Sequence, residues 1–114
     1  MKINNCEYIK LIVHTNGYVV KCVQCKQYQL AFGTNLCNFK ELEFGLLNLK
    51  VCSLKAKALK MEKLDKNVKN IVIEIIPNVS SLILNFSELL ELEKMISEAI
   101  YKEKLLNLSK INLN

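Results

Sequence analysis

The sequence predicts an α+β domain of two layers: an antiparallel meander of about six strands with two helices on one face. Three observations point there. Short β-branched and aromatic runs recur between turn signals at Asn16-Gly17, Cys22–Cys25, Gly33-Thr34-Asn35 and Pro77–Ser80. Two longer stretches space their apolar residues three and four apart, as one face of a helix requires. The order strand, turn, strand, helix also occurs twice, and helices that follow hairpins in this way cover one face of a sheet.

At 114 residues the chain is one domain's worth of sequence, with a first part over 1–64 (hairpins and first helix) and a second over 70–108 (hairpin and second helix). Half of it, 51%, is apolar, which excludes a disordered class. No apolar run approaches the ~20 residues that span a bilayer, so no membrane association is expected. The opening MKINNCEYIKLIV has charges and amides where a signal peptide would carry its apolar region. The expected location is cytoplasmic, where five cysteines are thiols or metal ligands more often than disulfides.

Glu7 to Val13 is the first β-rich run. Asn16-Gly17 then gives a two-residue hairpin turn, and Tyr18 to Val23 is the second strand. Gln27 to Phe32 is the third, and Leu36 to Phe39, after Gly33-Thr34-Asn35, the fourth. A helix is predicted from Lys40 to Met61 with one stripe at Phe44, Leu47, Val51, Leu54, Ala58 and Met61. A second stripe runs through Leu42, Leu46, Leu49, Cys52, Ala56 and Leu59. One stripe can cover the sheet; the other needs the second helix or another subunit, and a homodimer through this helix is one expectation. After a polar linker at 65–70, Ile71 to Ile76 and Ser81 to Phe86 form a further hairpin. Ser87 is the expected cap of a second helix, with Leu89, Leu92, Ile96, Ala99 and Leu106 on its inner face and residues 107–114 frayed. Asn38-Phe39-Lys40-Glu41-Leu42 and Asn85-Phe86-Ser87-Glu88-Leu89 agree at four of five positions, which suggests a duplicated strand–strand–helix unit.

All sixteen basic residues are lysine, and the net charge is +5. The excess lies in the first half, including a run from Lys50 to Lys69. Without arginine there is no bidentate fork for phosphate or guanine, so a solvated surface competes with weak single-stranded nucleic-acid binding. Tyr18, Tyr28 and Phe32 could stack bases but at strand spacing fit core packing better. Candidate binding residues are Lys21, Lys26 and Tyr28.

The cysteine pair Cys22-x-x-Cys25 admits three readings. Two thiolates on a tight β-turn are half of a tetrahedral zinc site. Flanking Lys21 and Lys26 would favour thiolate for metal or redox work. Two small hydrophobes in a hairpin need no further explanation. Pairing around Asn16-Gly17 sets His14 opposite Val19, too far from Cys22 to join it, and extends to place Cys6 beside the pair. Pairing around Gly33-Thr34 sets Cys37 opposite Leu30, in the core, and Cys52 falls mid-helix, again as core. Cys6, Cys22 and Cys25 are therefore the candidate ligands, one short of four, with zinc as the candidate cofactor.

The stretch NGYVVKCVQCKQYQLAFGT, followed by a strand and an amphipathic helix, resembles a family of small uncharacterised proteins of Bacteroidetes-type bacteria. The resemblance implies that Gly17, Cys22, Cys25, Gln29, Phe32 and Gly33 are signature positions, and it brings no activity with it. The sequence contains no phosphate loop, no activated serine and a single histidine. The expected function is a non-enzymatic binding or adaptor module with a protein partner, against the zinc-knuckle, thiol-redox and nucleic-acid alternatives.

Overall fold

The computed structural model describes residues 7–61 and 65–112, with side chains as far as residue 108. The chain runs β1 (Tyr8–His14), β2 (Gly17–Cys22), β3 (Tyr28–Phe32), β4 (Asn35–Phe39), α1 (Glu41–Lys60), β5 (Ile71–Ile76), β6 (Ser80–Leu84) and α2 (Phe86–Asn112). The fold is α+β with six antiparallel strands and two helices, as the sequence predicts. The strands are divided between two sheets, β1-β2-β3-β4 in chain order and β5-β6 apart. Helix α2 continues to Asn112, past the point where fraying was expected.

Both helices lie on the same face of the larger sheet. Lys21 on β2 shows this, since its ammonium reaches Glu41 on α1 and Glu103 on α2. The core beneath them joins Val19, Leu30 and Phe32 of that sheet to Phe44, Leu47 and Val51 of α1. Leu89, Leu92, Met95, Ile96 and Ala99 of α2 complete it, and Ile73, Leu82 and Leu84 add the small sheet. Each fully buried Leu or Ile contributes roughly 1.5–3 kcal/mol.

The first hairpin corrects the expected register. His14 pairs with Gly17 and Tyr8 with Cys22, with a bulge between Lys10 and Ile12. The loop is therefore Thr15-Asn16, not Asn16-Gly17. Gly17 serves another purpose: a Cβ there would lie 1.9 Å from the carbonyl oxygen of Ala31. Glycine is needed for close approach of β3, not for a left-handed turn. The third turn keeps the expected register, with Leu30 opposite Cys37 and Gly33 left-handed at φ +60°.

Asn85, not Ser87, caps α2. Its side-chain oxygen accepts the Glu88 N–H at 2.8 Å, and Glu88 accepts the Asn85 N–H at 2.9 Å, a reciprocal capping box. Lys40 begins α1 with half of that arrangement. Glu43 accepts the Lys40 N–H at 2.7 Å, but a lysine side chain has no acceptor to return.

The two strand–strand–helix units correspond at an offset of 45 residues from the hairpin turn onward. Left-handed Gly33 and Asn78, strands Asn35–Phe39 and Ser80–Leu84, and caps Lys40 and Asn85 all match. So do the buried helix positions Phe44 and Leu89, Leu47 and Leu92, Val51 and Ile96. The Asn-Phe-x-Glu-Leu match at an offset of 47 is thus out of phase. Asn38 and Phe39 still belong to β4, where Asn85 is already a cap.

Candidate functional site: a cleft between the two sheets

Among the described residues β4 is the last strand of the larger sheet. Its outer edge faces the β5–β6 hairpin across a cleft of about 530 Å³, with α1 as the floor. One wall is Leu36 to Phe39, the other Glu74, Ile75, Ile76 and Ser80; Glu43, Leu46, Leu47 and Lys50 rise from below. In the two-residue hairpin the flanking pair Phe32–Asn35 is the hydrogen-bonded one, and pairing alternates from there. The backbone N–H and C=O of Leu36 and Asn38 therefore point away from β3, into the cleft. On the opposite wall the Glu74 carbonyl is met by Lys50, whose ammonium donates to it at 3.2 Å. The site is apolar at its base, with unpaired strand backbone on one side and a lysine-capped carbonyl on the other.

The residues singled out from sequence lie elsewhere. Cys22 is fully buried at the end of β2, and Cys25 is exposed on the following turn. The Cys25 N–H donates to the Cys22 sulfur at 3.3 Å. Lys26, next in line, is left-handed at φ +65°, and its N–H donates to the Cys22 carbonyl at 3.0 Å. Cys6 lies outside the described residues. Among the described residues no three His, Cys, Asp or Glu side chains form a group that could hold a metal. His14 is on the helix side of the sheet, 3.1 Å from Glu98. Cys37 is half-buried, and burial pushes its thiol pKa up. Cys52 is exposed, a correction to its expected place in the core. It follows the second α1 stripe, which α2 leaves uncovered because α2 packs beside the first.

Lys21 and Tyr28 are tied into the scaffold. Lys21 donates to Glu103 at 2.5 Å, Glu41 at 3.0 Å and Tyr28 at 3.3 Å. Tyr28 also donates to Glu103 and stacks on Phe44 with ring centroids 4.2 Å apart. Burial by itself lowers the Lys21 pKa, but the bonds from Glu103, Glu41 and Tyr28 outweigh it and raise it above 10.5. Burial, with the Glu103 bond second, pushes Tyr28 up to about 12. A lysine held charged so firmly is a strut and a poor proton acceptor. Its charge is directed at Glu41 and Glu103 on the helices. Tyr28 and Phe32 face the core.

The cleft escaped the sequence because its walls come from two sheets more than thirty residues apart. The one available signal was β4 itself, a short apolar strand with no following strand before the helix. Residues 4–114 match a family described as a family of unknown function (DUF6686), and the chain belongs to that family. No curated protein and no solved structure matches the chain.

Proposed function

We propose that this chain is a small non-enzymatic binding module whose ligand is an extended peptide segment of a partner protein, added as a strand along β4. The observation that carries this reading is the open β4 edge within an apolar-floored cleft. Strand addition takes its affinity from main-chain hydrogen bonds and its specificity from alternate side chains. Leu36 and Asn38 supply the backbone groups, and Leu46, Leu47 and Ile75 the apolar base for every second peptide side chain. Panning a displayed library of random peptides and mapping hits by amide chemical shifts tests it. Hits should perturb Leu36 and Asn38, and Asn38→Pro, which removes one outward N–H, should abolish binding while the circular dichroism is retained. A library that yields no ligand, or ligands that map away from β4, would overturn the proposal.

A zinc knuckle at Cys22 and Cys25 is the second reading, and their turn favours it. What supports this reading is the Cys25 N–H turned onto the Cys22 sulfur, with a left-handed residue directly after, a turn on which two thiolates would supply half of a tetrahedral site. Elemental analysis of protein purified without added zinc decides it. Near-stoichiometric zinc lost in Cys25→Ser supports the site; a metal-free protein that tolerates Cys25→Ser removes it.

A further inference from the structure

We infer that the solvent face of α1 is a homodimer interface, in which two copies of the helix pack antiparallel about a two-fold axis midway between Leu49 and Cys52. Leu42, Leu46, Leu49 and Leu59 are 56–76% exposed within the single chain, and Cys52 and Ala56 lie among them on the surface. The repeat supplies an internal control. Forty-five residues on, α2 carries Ser87, Glu91, Lys94, Ser97, Tyr101 and Lys104 at the corresponding positions, five of the six polar or charged. The unit therefore does not need leucine there to fold; α1 carries an apolar row at positions where α2 is mostly polar, and rows of that kind mark contacts.

Charge along α1 selects the occupant and its direction. Glu41 and Glu43 occupy the first turn, Lys57 and Lys60 the last. A second copy packed antiparallel sets Glu41 against Lys60 and Glu43 against Lys57, with the helix dipoles opposed. A parallel copy would set like charges together. The antiparallel register also matches the apolar row, placing Leu42 against Leu59, Leu46 against Ala56 and Leu49 against Cys52. A helix with acid at one end, base at the other and an apolar middle is complementary to its own reverse, as an isologous interface requires. Leu46 of the row and Glu43 of the ion pairs also line the peptide cleft, but the inference is read from α1 alone and does not rest on the function proposed above.

The test is the solution mass of the full chain from micromolar to submillimolar concentration. The expected species is twice 13.1 kDa. Because a two-fold axis counts each substitution twice, Leu49→Glu should weaken association on the order of 100-fold or more, with unchanged circular dichroism and with unchanged melting below the dimerisation range. Direction is read by oxidative cross-linking in a Cys52→Ser background, with cross-linked peptides identified by mass. Leu42→Cys mixed with Leu59→Cys should cross-link between the two, and Leu42→Cys alone should not cross-link to itself at that position. A monomer at every concentration, a Leu49→Glu chain that still dimerises, or a 42–42 cross-link would each overturn the inference.

Discussion

Aligned on their caps, the β3–β4–α1 and β5–β6–α2 units bury the same helix positions and then part company. In α2 the inner residues Leu89, Leu92, Met95, Ile96 and Ala99 are all inaccessible, and the outer positions Ser87, Glu91, Lys94 and Ser97 are polar. In α1 the inner face is buried and the outer face is leucine. The short motif shared by the units sharpens the contrast: Leu89 is 0% exposed and Leu42, its match in sequence, 76%. One copy of the repeat spends its apolar residues on the monomer core, and the other leaves a row of leucines exposed.

The largest expected difference is between equivalent-looking leucines on the two helices. Leu92→Ala should cost about 2–5 kcal/mol, because it opens a cavity under both sheets. Leu49→Ala should change the stability of the monomer by less than about 0.5 kcal/mol, as surface substitutions do. Urea denaturation below the dimerisation range measures both. Comparable losses would mean that α1 is not the helix with the spare face.

Next in size is the tie at the far end of the helices. Glu103 on α2 receives both Lys21 and Tyr28, whereas Glu41 on α1 receives Lys21 from an exposed position. Glu103→Gln should cost about 1–3 kcal/mol, the loss of charge-assisted bonds at a mostly buried site, and Glu41→Gln under about 1 kcal/mol. The sign with pH follows from Tyr28, raised from 10.0 to about 12. Between those values the folded chain keeps a proton the unfolded chain has lost. Its contribution is complete below pH 10 and disappears as pH rises toward 12, and Lys21, also raised, acts in the same direction. The difference between the alkaline titrations of wild type and Tyr28→Phe isolates Tyr28. Glu103→Gln should bring that transition down toward 10 and flatten the alkaline fall in stability.

Much of this architecture is written locally. The positions of α1, β5 and the inner α2 stripe follow from 3.6-residue and two-residue periods, and the Leu30–Cys37 pairing from a left-handed Gly33. What failed were residues with two physical uses. Gly17 reads as a turn glycine because it follows Asn16, but it admits the Ala31 carbonyl, and the hairpin register differs accordingly. Ser87 reads as the cap because Asn85 fits the end of a strand equally well; only the reciprocal bond with Glu88 decides. Cys52 reads as core because it falls mid-helix on an apolar stripe, but α2 covers only the other stripe and leaves it exposed. The cleft depends on how two sheets sit across α1, a long-range property that no local period encodes.

The smallest effect expected tests the comparison at its start. Asn85 and Lys40 hold the same structural position, one with a complete capping box and the other with half. Asn85→Ala should cost about 1 kcal/mol. Lys40→Asn should do the reverse, because Lys40 is exposed and its positive charge sits at the positive end of the helix dipole. The asparagine would offer an acceptor to the Glu43 N–H and complete the box, a gain of up to about 1 kcal/mol. Paired melts of the two variants measure it. A loss on Lys40→Asn would show that the offset of 45 does not carry through to the caps, and that the second unit's better helix start is a property of its own hairpin.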